Sequence, residues 1–185
     1  IWKSTDSGET WGQANDSFTA SLNIHALAAD PRTSNIVYAG TGDHGVVRTL
    51  DGGASWEPCS VGLTNLDVRA VAVDPVEWWV MYAGTYDGGI YKSQDTCGGW
   101  QPANLGLDQS AKILSLVIDP NRRNVVYAAD LRNGVYRSED GGKFWTLLNL
   151  GLTTRAVRAL ALSADGGTLY AATEGEGVFR LDLLP

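Results

Sequence analysis

The sequence is poor in the residues that mark several common classes of protein. It has two cysteines and two histidines among 185 residues, too few cysteines for a disulfide scaffold, and the spacing matches no zinc or redox motif. No apolar run approaches the length that crosses a bilayer, and no charged-then-apolar leader opens the chain. Basic residues number 14 against 21 acidic ones, a formal charge of -7, so nucleic-acid binding is not expected.

The residues that the sequence has in quantity are glycine and apolar residues. Glycine occurs 22 times, hydrophobic residues make up 44% and charged residues 19%. This composition is typical of many short strands joined by tight turns around a buried core, so the chain is predicted to be all-β. Neither His25 nor His44 has a neighbouring His or Cys at ligand spacing, so no metal and no cofactor is predicted.

The two cysteines leave two interpretations open. Cys59 follows one predicted outer strand and Cys97 lies in the next predicted hairpin, so a disulfide between neighbouring sheets would fit the order of the strands. Two unpaired thiols are the favoured expectation on general grounds.

An internal repeat is the strongest signal in the sequence. The aspartates Asp6, Asp51, Asp95 and Asp140 recur every 44 or 45 residues, the length expected of one propeller blade. Each lies in a segment with Ser or Thr before the Asp and Trp after it. The segments are IWKSTDSGETW at 1–11, VVRTLDGGASW at 46–56, IYKSQDTCGGW at 90–100 and VYRSEDGGKFW at 135–145.

A second shared phrase lies between these segments and predicts three strands. Its first strand alternates small and aliphatic residues, and an Asp-Pro turn follows at Asp30, Asp74 and Asp119. With the strand after each box, this gives four antiparallel strands per repeat, the architecture of a propeller blade. The predicted units are the outer strands of a first blade at 1–13, full blades at 24–58, 68–103 and 113–148, and a last blade without its outer strand at 157–182.

The box residues are predicted to have structural roles. Asp and Ser or Thr form hydrogen bonds within a tight turn, glycine supplies a positive φ, and the tryptophan covers the seam between adjacent sheets. The third copy has Cys97 and Gly98 in place of the usual pattern, so its hairpin is expected to be distorted. The predicted box residues are Ser4, Asp6, Gly8 and Trp11; Thr49, Asp51, Gly53 and Trp56; Ser93, Asp95 and Trp100; and Ser138, Asp140, Gly142 and Trp145.

At these residues the sequence resembles the Asp-box or BNR-repeat superfamily, over essentially the whole chain. It looks most like the bacterial glycosyl-hydrolase-like BNR repeat proteins, for which the phrases VDP, VYAGT and VYRSEDGG are typical. The resemblance implies a β-propeller. Related folds include sialidases, xyloglucanases, sortilin-type ectodomains and photosystem II stability factors, so the repeat specifies the fold better than the function.

The enzymes among these relatives imply catalytic residues that this sequence does not display. Sialidases imply an Arg-Ile-Pro motif, an arginine triad and a tyrosine nucleophile, and no Arg-Ile-Pro occurs in the chain. Xyloglucanase-like enzymes imply two catalytic aspartates across a cleft between two propellers, which one short chain does not supply alone. No catalytic residue is therefore assigned, and a non-enzymatic role is favoured.

The two ends of the sequence are interpreted differently. Ile1 opens directly on a third strand and a box, which suggests an internal cut, whereas the degenerate ending at Asp182 suggests a natural terminus. Residues 1–5 and 178–182 would both take the third-strand place. Part of a larger propeller is therefore predicted in preference to a closed ring of about four blades, and assembly of two half-rings is the alternative.

Candidate ligand-binding residues lie in two places. The turns between second and third strands differ from blade to blade within a repeated frame, which favours recognition there over simple solvation. The innermost strands begin near His25, Arg69, Leu114 and Arg158, whose cations would attract an anion at the channel mouth unless each pairs with a local acid such as Asp67. The turn candidates are Asp43, His44, Tyr86, Asp87, Arg132, Glu174 and Glu176.

Trp78 and Trp79 stand where the other repeats have polar turn residues. Exposed tryptophans reduce solubility unless they contact something, so they predict a partner contact on a protein or a membrane surface, with local packing as the equal alternative.

Together these observations predict a non-catalytic extracytoplasmic module that binds a protein or a glycan through its loops, or that serves as an assembly subunit, including a homo-oligomer. The localisation, extracellular or periplasmic, is what the resemblance implies. The alternative is a fragment of a glycoside hydrolase, which needs two carboxyl groups about 5–10 Å apart. The acids available for it are Asp43, Asp87, Asp130, Glu174 and Glu176.

Overall fold

The computed structural model describes residues 1–15 and 22–183, and that part of the chain is built of β-strands alone. It contains no helix that could cross a membrane. The strands form antiparallel sheets in chain order. This confirms the all-β class and the four-stranded antiparallel sheets.

The sheets follow one another along the chain. A two-stranded sheet joins β1 (Trp2–Lys3) and β2 (Gly12–Gln13). Three four-stranded sheets follow: β3 (Ile24–Ala29), β4 (Val37–Thr41), β5 (Val46–Thr49) and β6 (Glu57–Pro58); β7 (Val68–Val73), β8 (Met81–Thr85), β9 (Gly89–Ser93) and β10 (Trp100–Pro102); and β11 (Ile113–Ile118), β12 (Val126–Asp130), β13 (Gly134–Ser138) and β14 (Thr146–Leu147). The last sheet has β15 (Val157–Leu162), β16 (Thr168–Thr173) and β17 (Val178–Asp182).

The core lies between successive sheets, and small residues let the inner strands approach closely. A Cβ on Gly40 would lie 2.9 Å from Cγ1 of Val68 in the next sheet, and a Cβ on Gly84 would overlap the side chain of Ile113. Tyr38, Tyr82 and Tyr127 occupy the same place in three sheets, and each is at most 2% exposed. The alternation of small and bulky residues in the repeat therefore sets how tightly the sheets stack.

Each Asp box is held by its own side chains. In the second box, the Thr49 hydroxyl donates to the Asp51 carboxylate at 2.8 Å and accepts from the Gly53 backbone N–H at 2.9 Å. The other oxygen of Asp51 accepts the Ser55 hydroxyl at 2.6 Å. These bonds, led by the one from the Ser55 hydroxyl, lower the pKa of Asp51 to about 2. The first box is built in the same way, and the bond from Thr10 leads in lowering the pKa of Asp6 to about 2.

The expected distortion of the third box is wrong. The Ser93 hydroxyl still donates to Asp95 at 2.7 Å, and the Cys97 N–H still donates to Ser93 Oγ at 3.0 Å. The hairpin keeps its shape because Thr96 and Cys97 take φ values of 61° and 62°, the left-handed region that Gly141 and its neighbour occupy in the fourth box.

The expectation of two unpaired thiols is also wrong. Cys59 and Cys97 form a disulfide, with Cα atoms 5.7 Å apart, a separation that is ordinary for such a bond. The tight third hairpin brings Cys97 against the end of the preceding sheet, where Cys59 follows β6. The disulfide therefore links two adjacent sheets.

Candidate functional site

The turns of the sheets lie on two opposite faces, and backbone contacts define them. On one face the Asp boxes meet the Asp-Pro turns, as where the Gly52 N–H donates to Asn35 O at 2.9 Å. The other is called here the turn face, and it consists of the turns between second and third strands with the residues that enter the innermost strands. Its turns span 41–45, 85–89, 130–134 and 173–177.

On the turn face each turn is tied to the start of its innermost strand by one backbone hydrogen bond. Tyr86 N–H donates to Asp67 O at 2.9 Å, and Leu131 N–H donates to Lys112 O at 3.1 Å. Equivalent bonds join Gly42 to Asn23 and Glu174 to Ala156, at 2.9 and 2.8 Å. The side chains that vary between repeats are therefore displayed from a frame that does not vary.

The four residues predicted at the channel mouth share a local conformation. The pairing of each innermost strand shifts register by one residue, and the extra residue is His25, Arg69, Leu114 or Arg158. A β-bulge turns a side chain away from the regular alternation of the strand and is frequent beside functional sites. The repeat thus places one re-aimed side chain per sheet at this end.

Arg69, Asp67 and Tyr86 form the centre of the candidate site. Arg69 Nε lies 2.5 Å from Asp67 Oδ1 and its Nη2 lies 2.9 Å from Oδ2, a bidentate pair. The guanidinium carbon lies 5.0 Å from the centroid of the Tyr86 ring. The hydrogen bond to Asp67 raises the pKa of Arg69. The paired cation and the half-buried aromatic ring therefore fix each other in place.

Lys112 completes this group from the next sheet. Its Nζ lies 3.7 Å from the Tyr86 ring centroid and 3.2 Å from Asp87 Oδ2. The contact with Tyr86, and then that with Asp87, raises the pKa of Lys112. Tyr86 and Lys112 also form a backbone bridge between the two sheets. Asp87 holds a φ of 71°, so its side chain is presented from a left-handed turn.

Sequence reasoning missed Lys112. It selected the column of His25, Arg69, Leu114 and Arg158, whereas Lys112 lies two residues earlier, in the column that also holds Asn23, Asp67 and Ala156. That column varies as much as the one selected, and this was the available signal.

The other predicted turn-face residues lie in separate, local pairs. Arg158 Nη2 lies 2.8 Å from Glu174 Oε2 with both side chains exposed, and His44 Nδ1 lies 2.7 Å from Asp43 Oδ1. Glu176 accepts a hydrogen bond from Thr153. No contact joins these pairs to Tyr86 in the part of the chain that the structure describes.

His25 lies against the neighbouring turn and not beside another cation. A Cβ on Gly42 would stand 3.1 Å from its Nε2, and that nitrogen is buried without a hydrogen-bond partner among the described atoms. Lys112, and not His25 or Arg158, is the second cation beside Arg69.

Asp130 differs from the acids on the surface. Thr41, Thr85 and Thr173 take its place in the other sheets, and each donates its hydroxyl to a carbonyl across the turn at 2.9 Å. Asp130 is fully buried and instead accepts from the backbone N–H of Arg132 at 2.8 Å and from Asn133 Nδ2 at 2.9 Å. Its carboxylate shapes the turn that presents the exposed Arg132.

The tryptophan pair lies on the other face, at the Asp-Pro turn of the second four-stranded sheet. Trp78 and Trp79 meet edge to face with ring centroids 5.7 Å apart, and the guanidinium of Arg32 lies 4.8 Å from the Trp78 ring. Trp78 is half-buried, whereas Trp79 is 40% exposed. Local packing accounts for Trp78, and the partner contact stays a prediction for Trp79.

Within residues 1–15 and 22–183, no group of three or more His, Cys, Asp or Glu side chains is arranged to hold a metal ion. The group around Tyr86 has instead a half-buried aromatic ring, two cations and two carboxylates, all at fixed distances. Such an arrangement can hydrogen-bond hydroxyl, amide or carboxylate groups of a ligand.

No protein-family model matches the chain, and no curated protein matches it. Solved structures do match, and several are glycoside hydrolases of the GH74 group. The GH74 enzyme of Niastella koreensis is 23% identical, with a TM-score of 0.70 over 86% of this chain. The GH74 xyloglucanase from Xanthomonas campestris is 18% identical, with a TM-score of 0.76 over 98%. YCF48 bound to D1 peptide is 18% identical, with a TM-score of 0.64 over 88%.

The chain covers only part of each of these structures: 28% of the Niastella enzyme, 33% of the Xanthomonas enzyme and 52% of YCF48. At these identities the likeness shows the fold alone. It is consistent with the propeller superfamily that the repeat resembles.

Proposed function

We propose that this chain is a non-catalytic binding or assembly module that recognises a protein or a glycan through its turn face. The observation that carries the proposal is the group around Tyr86, where Arg69 and Lys112 hold the ring from two adjacent sheets. Side chains fixed in this way lose little conformational freedom when a ligand binds, which favours affinity.

Charge pairing on the turn face favours binding over hydrolysis. Asp67 is paired with Arg69, Asp87 with Lys112 and Glu174 with Arg158. A glycoside hydrolase needs a carboxyl group that holds its proton, which enzymes obtain from an apolar pocket or from a second nearby carboxylate. Ion-paired acids offer neither environment.

A fragment of a glycoside hydrolase is the second candidate, and the likeness to two GH74 enzymes favours it. In that case this chain would supply one wall of a cleft, and Asp43 or Glu176 would be the acids to examine, because neither contacts Arg or Lys in the described contacts. The two candidates predict different products, since only the enzyme releases sugar from a glycan.

An extracytoplasmic location belongs to the same proposal. The disulfide between Cys59 and Cys97 supports it, because structural disulfides form and persist mainly in oxidising compartments.

The test is a binding screen with two arms, xyloglucan oligosaccharides for glycans and a displayed peptide library for proteins. Tyr86→Ala removes the ring at the centre of the site, and Tyr170→Ala removes a tyrosine that is 40% exposed outside the turn face, so it is the matched control. We expect at least one arm to give a ligand that Tyr86→Ala binds about tenfold or more weakly and that Tyr170→Ala binds normally.

The same oligosaccharides are assayed for released reducing ends. Release by the wild-type chain, lost on changing Asp43 or Glu176, would establish the enzyme instead. Equal loss of binding in both tyrosine variants would remove the turn face from the account.

A further inference from the structure

The tryptophan of each Asp box is seated against the preceding sheet in a repeated way. The indole of Trp145 donates to Ala103 O at 2.8 Å, and its backbone N–H donates to Leu105 O at 2.9 Å. Trp100 makes the same two bonds, each of 2.8 Å, with Cys59 and Val61. Trp145 is 1% exposed, within a cluster that includes Ile90, Ala103, Leu107, Val126, Ala128 and Tyr136.

The junction between the last two sheets has this seat with no tryptophan in it. Six residues take the repeat positions of the six that surround Trp145, and all six line one apolar groove. This groove is called here the open seat. Its residues are Val135, Leu148, Leu152, Leu169, Ala171 and Phe179.

Glycines show that the open seat lacks a strand as well as a side chain. At Gly62 and Gly106 a Cβ would overlap the backbone carbonyl of Trp100 and Trp145, the first residues of the outer strands. Gly151 stands at the same place beside the open seat, and a Cβ there would meet nothing within 4 Å. The backbone that crowds the other two glycines is absent from this third one.

Polar groups at the open seat also lack the partner that their equivalents have. Lys92 Nζ and the Tyr82 hydroxyl both donate to the carbonyl of Gly141, in the box of the next sheet, at 2.8 and 3.0 Å. Arg137 and Tyr127 take their places in the following sheet. Arg137 Nε is buried with no hydrogen-bond partner among the described atoms. It therefore stands where an acceptor carbonyl would be expected.

The neighbouring sheet edge is free to accept a strand. β17 pairs with β16 on one side, and within the described residues no strand pairs with its other side. An unpaired edge offers its backbone N–H and C=O groups to an extended segment. The edge, the seat and Arg137 lie together at one junction.

We propose that this junction is a docking site for an extended peptide strand that carries a tryptophan. The strand adds to the edge of β17, and its tryptophan enters the open seat. Its indole and backbone N–H groups donate to the carbonyls of Leu148 and Leu150, and a carbonyl of the strand accepts from Arg137. The occupant is inferred from the interface that Trp100 and Trp145 already form within this chain. The site is separate from the turn face and does not rest on the proposed function.

The probe is a synthetic peptide with the sequence of residues 138–149, this chain's own box and outer strand. Calorimetric titration into the whole chain is expected to show saturable binding of one peptide per chain. A matched peptide with Ala in place of the residue-145 Trp is expected to bind about 30-fold or more weakly, as is usual for a buried aromatic anchor. Equal binding of the two peptides, or none of either, would overturn the proposal.

Two protein variants locate the binding. Leu152→Glu places a charge in the open seat, and Leu147→Glu places the same charge on an exposed side chain outside it. Loss of binding in the first variant alone, with both still folded by thermal unfolding, supports the site. Unchanged binding by Leu152→Glu contradicts it. A concentration-dependent dimer that is abolished by Trp11→Ser would instead assign the seat to the first hairpin of a second copy, and would overturn the peptide as occupant.

Discussion

The indole N–H of Trp145 donates to the carbonyl of Ala103, 2.8 Å away at the end of the preceding sheet. The Asp box therefore holds two sheets together as well as closing its own hairpin. Basic residues reinforce the same junctions from the other side, as where Lys92 donates to the Gly141 carbonyl. Since successive sheets contact mainly their neighbours, each junction contributes to stability separately.

Trp145→Ala tests this role against a matched position. Trp145 is 1% exposed, whereas Trp11, in the same motif, is 60% exposed. Trp145→Ala is expected to lower the free energy of unfolding by roughly 3–5 kcal/mol, because it removes a buried ring and leaves a cavity. Trp11→Ala is expected to cost less than about 1 kcal/mol. Urea denaturation measures both, and similar losses would show that the motif does not act through burial.

Reduction of the disulfide is expected to destabilise the chain. The bond closes a loop with a sequence separation of 38 residues, which corresponds to about 2–4 kcal/mol. The Cys59→Ser/Cys97→Ser double variant should show the same loss without added reductant, measured by urea denaturation. Wild-type stability in the double variant would mean that the two sheets need no covalent link.

Acid stability should depend on the Asp boxes. The pKa of Asp51 is lowered from 3.8 to about 2, first by the hydrogen bond from Ser55. A carboxyl group with a lowered pKa contributes stability that is present above 3.8 and is lost as the pH falls towards about 2. The melting temperature of the wild type should therefore fall across this window, and that of Asp51→Asn should start lower and fall less. Parallel curves for the two proteins would contradict this role.

The third box should gain stability from a glycine. Thr96 has a φ of 61°, a region that is unfavourable for a β-branched residue, and Gly52 occupies the same place in the second box. Thr96→Gly is expected to raise the free energy of unfolding by about 1 kcal/mol, and Gly52→Thr to lower it by roughly 1–2 kcal/mol. Urea denaturation of both variants checks the pair. A loss of stability in Thr96→Gly would show that the threonine side chain has a role beyond the turn.

The tryptophan pair is tested by restoring the polar residues of the other repeats. Trp78→Ser/Trp79→Asn should leave the unfolding transition nearly unchanged, because Trp79 is 40% exposed, and should abolish retention of a partner protein if that surface is a contact. Retention is measured by co-purification from the source organism. If the double variant retains the partner as the wild type does, the pair serves local packing only.

Much of the fold could be predicted because its signals are local and periodic. The spacing of the boxes and the small residues of the inner strands both follow from contacts that every sheet repeats. The errors occurred where one repeat departs from the others. Cys97 was expected to distort its hairpin, but the backbone accepts a positive φ at a non-glycine residue there, and the hairpin kept in this way brings Cys97 to Cys59.

The candidate site could be predicted only in part. The varied turns pointed to Tyr86 and Asp87, and the residue at the start of the innermost strand pointed to Arg69. Lys112 was missed because it reaches Tyr86 through a bridge between two sheets, and one sequence gives no periodic signal for a contact made at one junction. The pairing of Arg158 with Glu174 likewise depends on side-chain geometry that spacing does not fix.

The central claim is that the turn face around Tyr86 binds a ligand without cleaving it. The most direct test is backbone hydrogen exchange of the chain with and without the ligand that the two-arm screen yields, with the recovered ligand weighed by mass spectrometry. We predict slower exchange at residues 85–89 and at Lys112, unchanged exchange at the Asp boxes, and an intact ligand. Protection confined to the Asp-box face, or a cleaved ligand, would contradict the account.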